Sequence, residues 1–185
     1  WSTAKHASRR GAVTQLTEIV FNKDRGSKDH QPAPNCVACL FRIERTNGGV
    51  ANALLQSATA PVSSNIAIVL QSKAYAVTLE QAVSYRFKIT ANPTKKLSKS
   101  GRLLDLSSDE EQVAWLQRKL IGARVTVTSM DAKLVCYRDH QFTRLVTFER
   151  VIDVDDVEQV HSCLSQGVGR KKHAGAGLLS LARMT

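Results

Sequence analysis

The chain has 185 residues, with 26 Lys+Arg against 16 Asp+Glu and a formal net charge of +10 at pH 7. Its hydrophobic fraction of 43% fits a globular protein whose core needs no staples. No apolar run approaches the ~18 residues needed to cross a bilayer. The charge favours a polyanionic partner, because each phosphate neutralised releases condensed counterions.

In chain order, residues 4–21 are expected to form a helix, with Val13, Leu16 and Val20 at i, i+3 and i+7. Residues 22–35 are charged, contain Gly26, Pro32 and Pro34, and read as a loop. Cys39–Arg45 and Ala51–Ser57 read as strands around a turn at Asn47-Gly48-Gly49. Pro61 precedes a helical or irregular segment around Ser64–Gln71, and a strand is expected over Ala74–Leu79. Tyr85, Phe87, Ile89 and Ala91 then alternate with Arg86, Lys88, Thr90 and Asn92, the pattern of a half-buried strand with a basic face.

Ser107 with Glu110 reads as a capping box. It opens a helix marked by Val113, Leu116 and Leu120 that stops at Gly122. Arg124–Thr128 and Val146–Val154 read as strands, with Met130–Arg144 as a polar, basic connection. Asp155 is expected to cap a last helix bearing Val157, Val160 and Leu164 and ending at Gly167. Leu178–Ala182 reads as a final strand.

The second half is therefore β-α-β-β-α-β, a ferredoxin-like unit. The first half reads as the same unit without its opening strand. The fold class is α+β: two tandem ferredoxin-like (RRM-like) domains, residues 1–80 and 84–185. The sequence begins at Trp1, and we expect the opening strand, and any targeting segment, to have preceded it.

Charge is segregated along the chain. Residues 81–104 hold no acid but contain Arg86, Lys88, Lys95, Lys96, Lys99 and Arg102. Residues 166–185 hold none either, with Arg170, Lys171, Lys172 and Arg183. Cys36 and Cys39 form a C-x-x-C without the second ligand pair that a zinc site needs. They read as ordinary core thiols of a reducing compartment. No metal and no cofactor is expected.

The most informative segment is Gly167-Val168-Gly169-Arg170-Lys171-Lys172-His173-Ala174-Gly175-Ala176-Gly177, between the last helix and the last strand. Glycines let backbone approach a phosphate closely, and runs of exposed N–H groups form anion nests. It is no Rossmann fingerprint, because Lys172 stands at the third glycine position, and no P-loop.

A duplicated ferredoxin-like plan ending in G-V-G-R-x-K-x-x-G-x-G-L-L-S-L-A resembles the CRISPR repeat-processing endoribonucleases, the CasE-like group in particular. Leu54-Leu55-Gln56-Ser57 followed by Pro61-Val62-Ser63, the stretch Ala91-Asn92-Pro93-Thr94-Lys95, and Gln112 to Leu120 are similar to that group as well. The resemblance runs from Leu40 to Ala182. It implies a single-turnover, metal-independent nuclease of prokaryotic cytoplasm, with no membrane association. Such an enzyme binds the repeat hairpin, cuts at the 3′ base of the stem and stays bound as a subunit of the effector complex. Its chemistry is attack of a ribose 2′-OH on the next phosphate, leaving a 2′,3′-cyclic phosphate and a 5′-OH.

The resembled group carries a catalytic His with a nearby Tyr on its first helix. Here no Tyr precedes Tyr75. Three readings stay open: His6 is a displaced base; Arg9 and Arg10 stabilise the transition state, as in related type IV processing nucleases; or the chain is an inert hairpin-binding subunit. Lys95, Lys96, Lys99 and Arg102 are expected to follow the RNA backbone. The resemblance implies that the connection bearing Lys133, Arg138 and Arg144 enters the major groove of the stem. Gly167, Gly169, Arg170, Lys171, Lys172, His173 and Gly175 are the expected RNA contacts of the glycine-rich loop. Single-strand recognition on an aromatic sheet face ranks last, because aromatics make up only 5%.

Overall fold

The alternation from Tyr85 to Ala91 forms strand β5 (Ser84–Ala91), with Tyr85, Phe87, Ile89 and Ala91 buried on one face. The computed structural model that contains it describes residues 14–22, 39–47, 49–63, 67–138 and 141–184. Around β5 the second half builds β8 (Ala123–Arg138), β9 (Gln141–Val154) and β10 (Leu179–Arg183) into one antiparallel sheet, in the order β10-β5-β9-β8. A small hairpin, β6 (Thr94–Lys96) with β7 (Leu103–Asp105), follows β5. Helices α1 (Asp109–Lys119) and α2 (Val157–Gln166) cover the apolar face. Ile89, Leu116, Phe148 and Ile152 meet there, each fully buried, and each such side chain stabilises the fold by roughly 1.5–3 kcal/mol.

The first half builds β1 (Thr14–Asn22), β2 (Leu40–Asn47), β3 (Val50–Ser57) and β4 (Ala67–Tyr75) into an antiparallel sheet ordered β2-β3-β1-β4. In both sheets the unit's first strand lies between its third and fourth, with its second outermost. This is the ferredoxin-like order, stated twice.

Four expectations are corrected. The first sheet does not lack its opening strand: of the helix expected over residues 4–21, residues 14–21 belong to β1, which is that strand, and residues 4–13 lie outside the described residues. Thr17 and Ile19 are buried at a spacing of two, and the strand is hydrogen-bonded on both sides, to β3 and β4. The spacing of four between Leu16 and Val20 satisfies a strand as well as a helix, and β-branched Thr17, Ile19 and Val20 favour the strand. The strand expected over Ala74–Leu79 is β4, nine residues long and beginning at Ala67. Among the described residues it pairs only with β1, and it is largely exposed, so no apolar alternation marks it.

Both helix caps lie one residue later than expected. Ser108 Oγ accepts from Glu111 N at 3.2 Å and Asp156 Oδ1 accepts from Gln159 N at 3.1 Å. Finally, Met130–Arg144 is no irregular connection: β8 and β9 run on through it as one long hairpin, an arm extending past the end of β5. Cys39 is only half-buried, and Cys36 lies outside the described residues.

Candidate nucleic-acid interface

The glycine-rich loop leaves α2 at Gly167, whose φ of 72° an L side chain rarely adopts. Its shape is fixed from within. Val168 N donates to Gly177 O at 2.9 Å, Ala174 N to Lys171 O at 2.9 Å, and Gly177 N to Thr90 O on β5 at 2.7 Å. A 3₁₀ turn at Lys172–Ala174 follows Lys171, itself in the left-handed region. Gly169 to His173 line an open concavity of about 450 Å³. Arg170 and His173 are exposed and Lys171 half-buried. Among the described residues no acceptor is found for the amides of Gly169 and Arg170. The concavity thus offers backbone donors and cations together, as an anion nest does. Lys172 lines it too, but its ammonium is already engaged and donates to Gln166 O, at the negative end of a helix with no basic residue in its last turn.

The cations of β6, β7 and their turn are all exposed. Lys95 pairs with Glu111 on α1 at 2.8 Å, whereas Lys96, Lys99 and Arg102 form no ion pair among the described residues. The run that is acid-free in sequence therefore meets an acid in space. On the arm, Lys133 pairs with Asp131 at 3.0 Å and Arg138 ends β8 opposite Gln141. Arg144 is half-buried. Its carbonyl accepts from buried Asn92 Nδ2 at 2.8 Å, and Asn92 also donates to Asp105 at 3.1 Å. These bonds tie the arm to β7. The sequence reading missed Leu134 and Phe142, 67% and 58% exposed on the same arm. Strand alternation of Leu134, Cys136, Phe142 and Arg144 would have shown them, had the segment been read as a hairpin.

The basic face of β5 is only partly free. Lys88 pairs with Glu44 at 3.0 Å and with Glu149 at 3.1 Å. Burial pushes the Glu44 carboxyl up, but Arg42 and Lys88 outweigh it and hold it below the usual carboxylate range. Burial likewise lowers Lys88, and its two carboxylate partners outweigh that and hold it above its ordinary value. Between this network, the arm and the loop lies a cleft of about 440 Å³, lined by Glu44, Arg45, Thr90, Lys133, Thr147 and Gly175.

His6, Arg9 and Arg10 lie outside the described residues. The strand they precede, β1, begins beside Tyr75 on β4 and next to the end of β3. Its Leu16 pairs with Gln56, whose Nε2 donates to Leu164 O on α2 at 2.9 Å. The chain thus enters the first sheet at the end adjoining α2 and the loop. No described helix is long and apolar enough to cross a membrane.

Two ferredoxin-like units in tandem, the second carrying a basic glycine-rich loop between α2 and β10, define a class of protein rather than one molecule. The chain belongs to the family described as CRISPR associated protein, which it matches over residues 15–183. It is 34% identical over 164 residues to the CRISPR system Cascade subunit CasE of Escherichia coli K12, covering 77% of this chain and 80% of that protein. It is 29% identical over 166 residues to the CRISPR-associated endoribonuclease Cse3 of Thermus thermophilus, covering 77% and 79%. Among solved structures it matches E. coli Cas6e with a TM-score of 0.75 and 30% identity, over 92% of this chain and all of that one. It matches T. thermophilus Cse3, bound to an RNA representing a pre-cleavage complex, with a TM-score of 0.79 and 27% identity, over 92% and 99%.

Proposed function

We propose that this protein is a metal-independent endoribonuclease of CRISPR repeat RNA that cuts at the 3′ base of the repeat hairpin and stays bound to its product within an effector complex. The observation that carries the reading is the loop at Gly169–His173, an anion nest seated on a fold shared with an RNA-bound endoribonuclease. The Cascade membership of the E. coli relative supports the complex.

In this reading the 2′-OH loses its proton to a base as O2′ bonds to phosphorus. The P–O5′ bond breaks, and O5′ takes up a proton. Arg9 and Arg10 stabilise the phosphorane charge, with His6 as the alternative base. Connectivity supports them: Arg10 is four residues from Thr14, a reach of at most about 14 Å, at the end of β1 that adjoins the loop. Lys172 serves the fold of the loop more than the scissile phosphate, because its ammonium already caps α2.

The second reading is an inert hairpin-binding subunit, favoured by the lack of any Tyr before Tyr75. Incubation of the protein with its repeat hairpin in excess EDTA separates the two. A single cut leaving a 2′,3′-cyclic phosphate supports the nuclease; tight binding with intact RNA supports the inert subunit.

A further inference from the structure

Arg42 lies in the sequence Leu40-Phe41-Arg42-Ile43-Glu44, where strand alternation alone gives no sign of its role. It is 3% exposed. Its Nη1 donates to Leu178 O at 3.2 Å, to Ser180 Oγ at 3.1 Å and to Lys88 O at 3.2 Å. Its Nε and Nη2 donate to Glu44 Oε1 at 2.8 and 2.6 Å. All three nitrogens are engaged out of solvent, so none is presented to a phosphate. Leu178 closes the glycine-rich loop, and Lys88 and Ser180 are paired residues of β5 and β10. One side chain of the first sheet therefore grips the exit of a loop that belongs to the second.

The two preceding residues hold the same loop. A Cβ on Gly167 would stand 2.7 Å from Leu40 Cδ2, and one on Gly175 would stand 3.1 Å from Phe41 Cε2. Three consecutive residues of β2 thus touch the loop at its entry, its turn and its exit. A buried guanidinium costs several kcal/mol to desolvate unless it is fully paired, and here the planar fork reaches a carboxylate on one side and two carbonyls and a hydroxyl on the other. A lysine ammonium cannot span both.

We propose that Arg42 is a positioning residue: it touches no RNA, and it sets from the first domain the shape in which the glycine-rich loop meets RNA phosphate. The proposal rests on the reading of that loop as the RNA-binding element. It also gives the tandem arrangement a consequence, since neither domain alone holds the loop in this form.

The test uses Arg42→Lys, which keeps the charge and loses the fork, and Glu44→Gln, which removes the charged anchor of that fork. Hydrogen exchange is measured on the RNA-free protein, and hairpin affinity is measured across a salt series. Arg42→Lys is expected to speed exchange at the amides of Val168, Ala176 and Gly177 while Phe148 and Ile152 stay protected. Hairpin affinity should fall about tenfold or more, with the log–log salt slope unchanged because no phosphate contact is lost. Glu44→Gln should show the same signature more weakly, and it decides the matter if Arg42→Lys fails to fold. A salt slope reduced by about one contact overturns the proposal in favour of direct phosphate binding. Uniform acceleration of exchange, or unchanged affinity, overturns it in favour of general stability. If the wild-type protein binds no hairpin, the RNA-binding reading fails, and local against uniform exchange still decides whether Arg42 shapes the loop.

Discussion

The glycine-rich loop and the β8–β9 arm both carry basic residues, yet they are built in opposite ways. The loop is braced from within, clasped by β2 and seated on β5, and exposed Arg170 and half-buried Lys171 line a fixed concavity. The arm projects past the sheet, anchored through Asn92 and Asp105, with Leu134 and Phe142 open to solvent. A fixed concavity suits a phosphate, which every nucleotide offers in one shape. A projecting hairpin suits a feature that only some RNAs have. On the proposed reading, affinity and discrimination fall to different elements.

The largest effect expected is on chemistry near the loop. The Arg9→Ala/Arg10→Ala pair should slow single-turnover cleavage of the repeat hairpin by ~10²–10³, the usual cost of losing a transition-state charge stabiliser. An arginine site shows no histidine limb in its pH–rate profile, whereas a His6 base gives one near pH ~6.5. Full activity in the double variant with loss of activity in His6→Ala would reverse the assignment.

Next comes the loop's geometry. Gly167→Ala adds a Cβ at positive φ against Leu40, and it should cost about 1–3 kcal/mol of stability, read as a lowered thermal midpoint. The same change at Gly101, in the exposed turn between β6 and β7, meets only the flexible end of the Lys96 side chain at 3.5 Å and should cost less.

A smaller effect is expected from acid. Glu44 is held below its ordinary value, so its contribution is complete above the unfolded value of ~4.3 and is lost as pH falls through the folded one. Exchange of the loop amides should therefore quicken as pH falls below ~4.3 relative to the core, and Glu44→Gln should flatten that dependence. Lys88, held above its ordinary value, keeps its side of the network until alkaline pH.

The smallest effect concerns Lys95. Its pair with Glu111 is half-exposed, a contact worth less than about 1 kcal/mol. Lys95→Ala should change hairpin affinity less than Lys96→Ala, and Glu111→Gln should raise it slightly. Equal losses from the two lysines would mean that RNA displaces the Glu111 pair at no cost.

The two sheets also differ in how much of them the sequence reveals. In the second, β5 alternates strictly and α1 and α2 carry caps and apolar stripes, so their existence is legible to within a residue or two. In the first, β1 carries a spacing that suits two periods, and β4 is an exposed edge strand with no pattern. The arm reads as a polar connection because its large apolar residues, Leu134 and Phe142, face solvent rather than a core. The loop is legible from glycine and charge, but its clasp is not. Beyond Glu44, two residues on, Arg42 finds its acceptors 46 to 138 residues away, and no local pattern encodes partners so distant. The same holds for Lys95, which sits in an acid-free run of the sequence and has Glu111 as its spatial neighbour.

The division between a gripping loop and a discriminating arm is tested most directly by removing two cations from each and measuring affinity for the repeat hairpin and for an unstructured strand of equal length. The account predicts that Arg170→Ala/Lys171→Ala weakens both RNAs alike, with the salt slope falling by up to about two contacts. It predicts that Arg138→Ala/Arg144→Ala weakens the hairpin more than the strand. The reverse pattern, or the same pattern from both pairs, would contradict it.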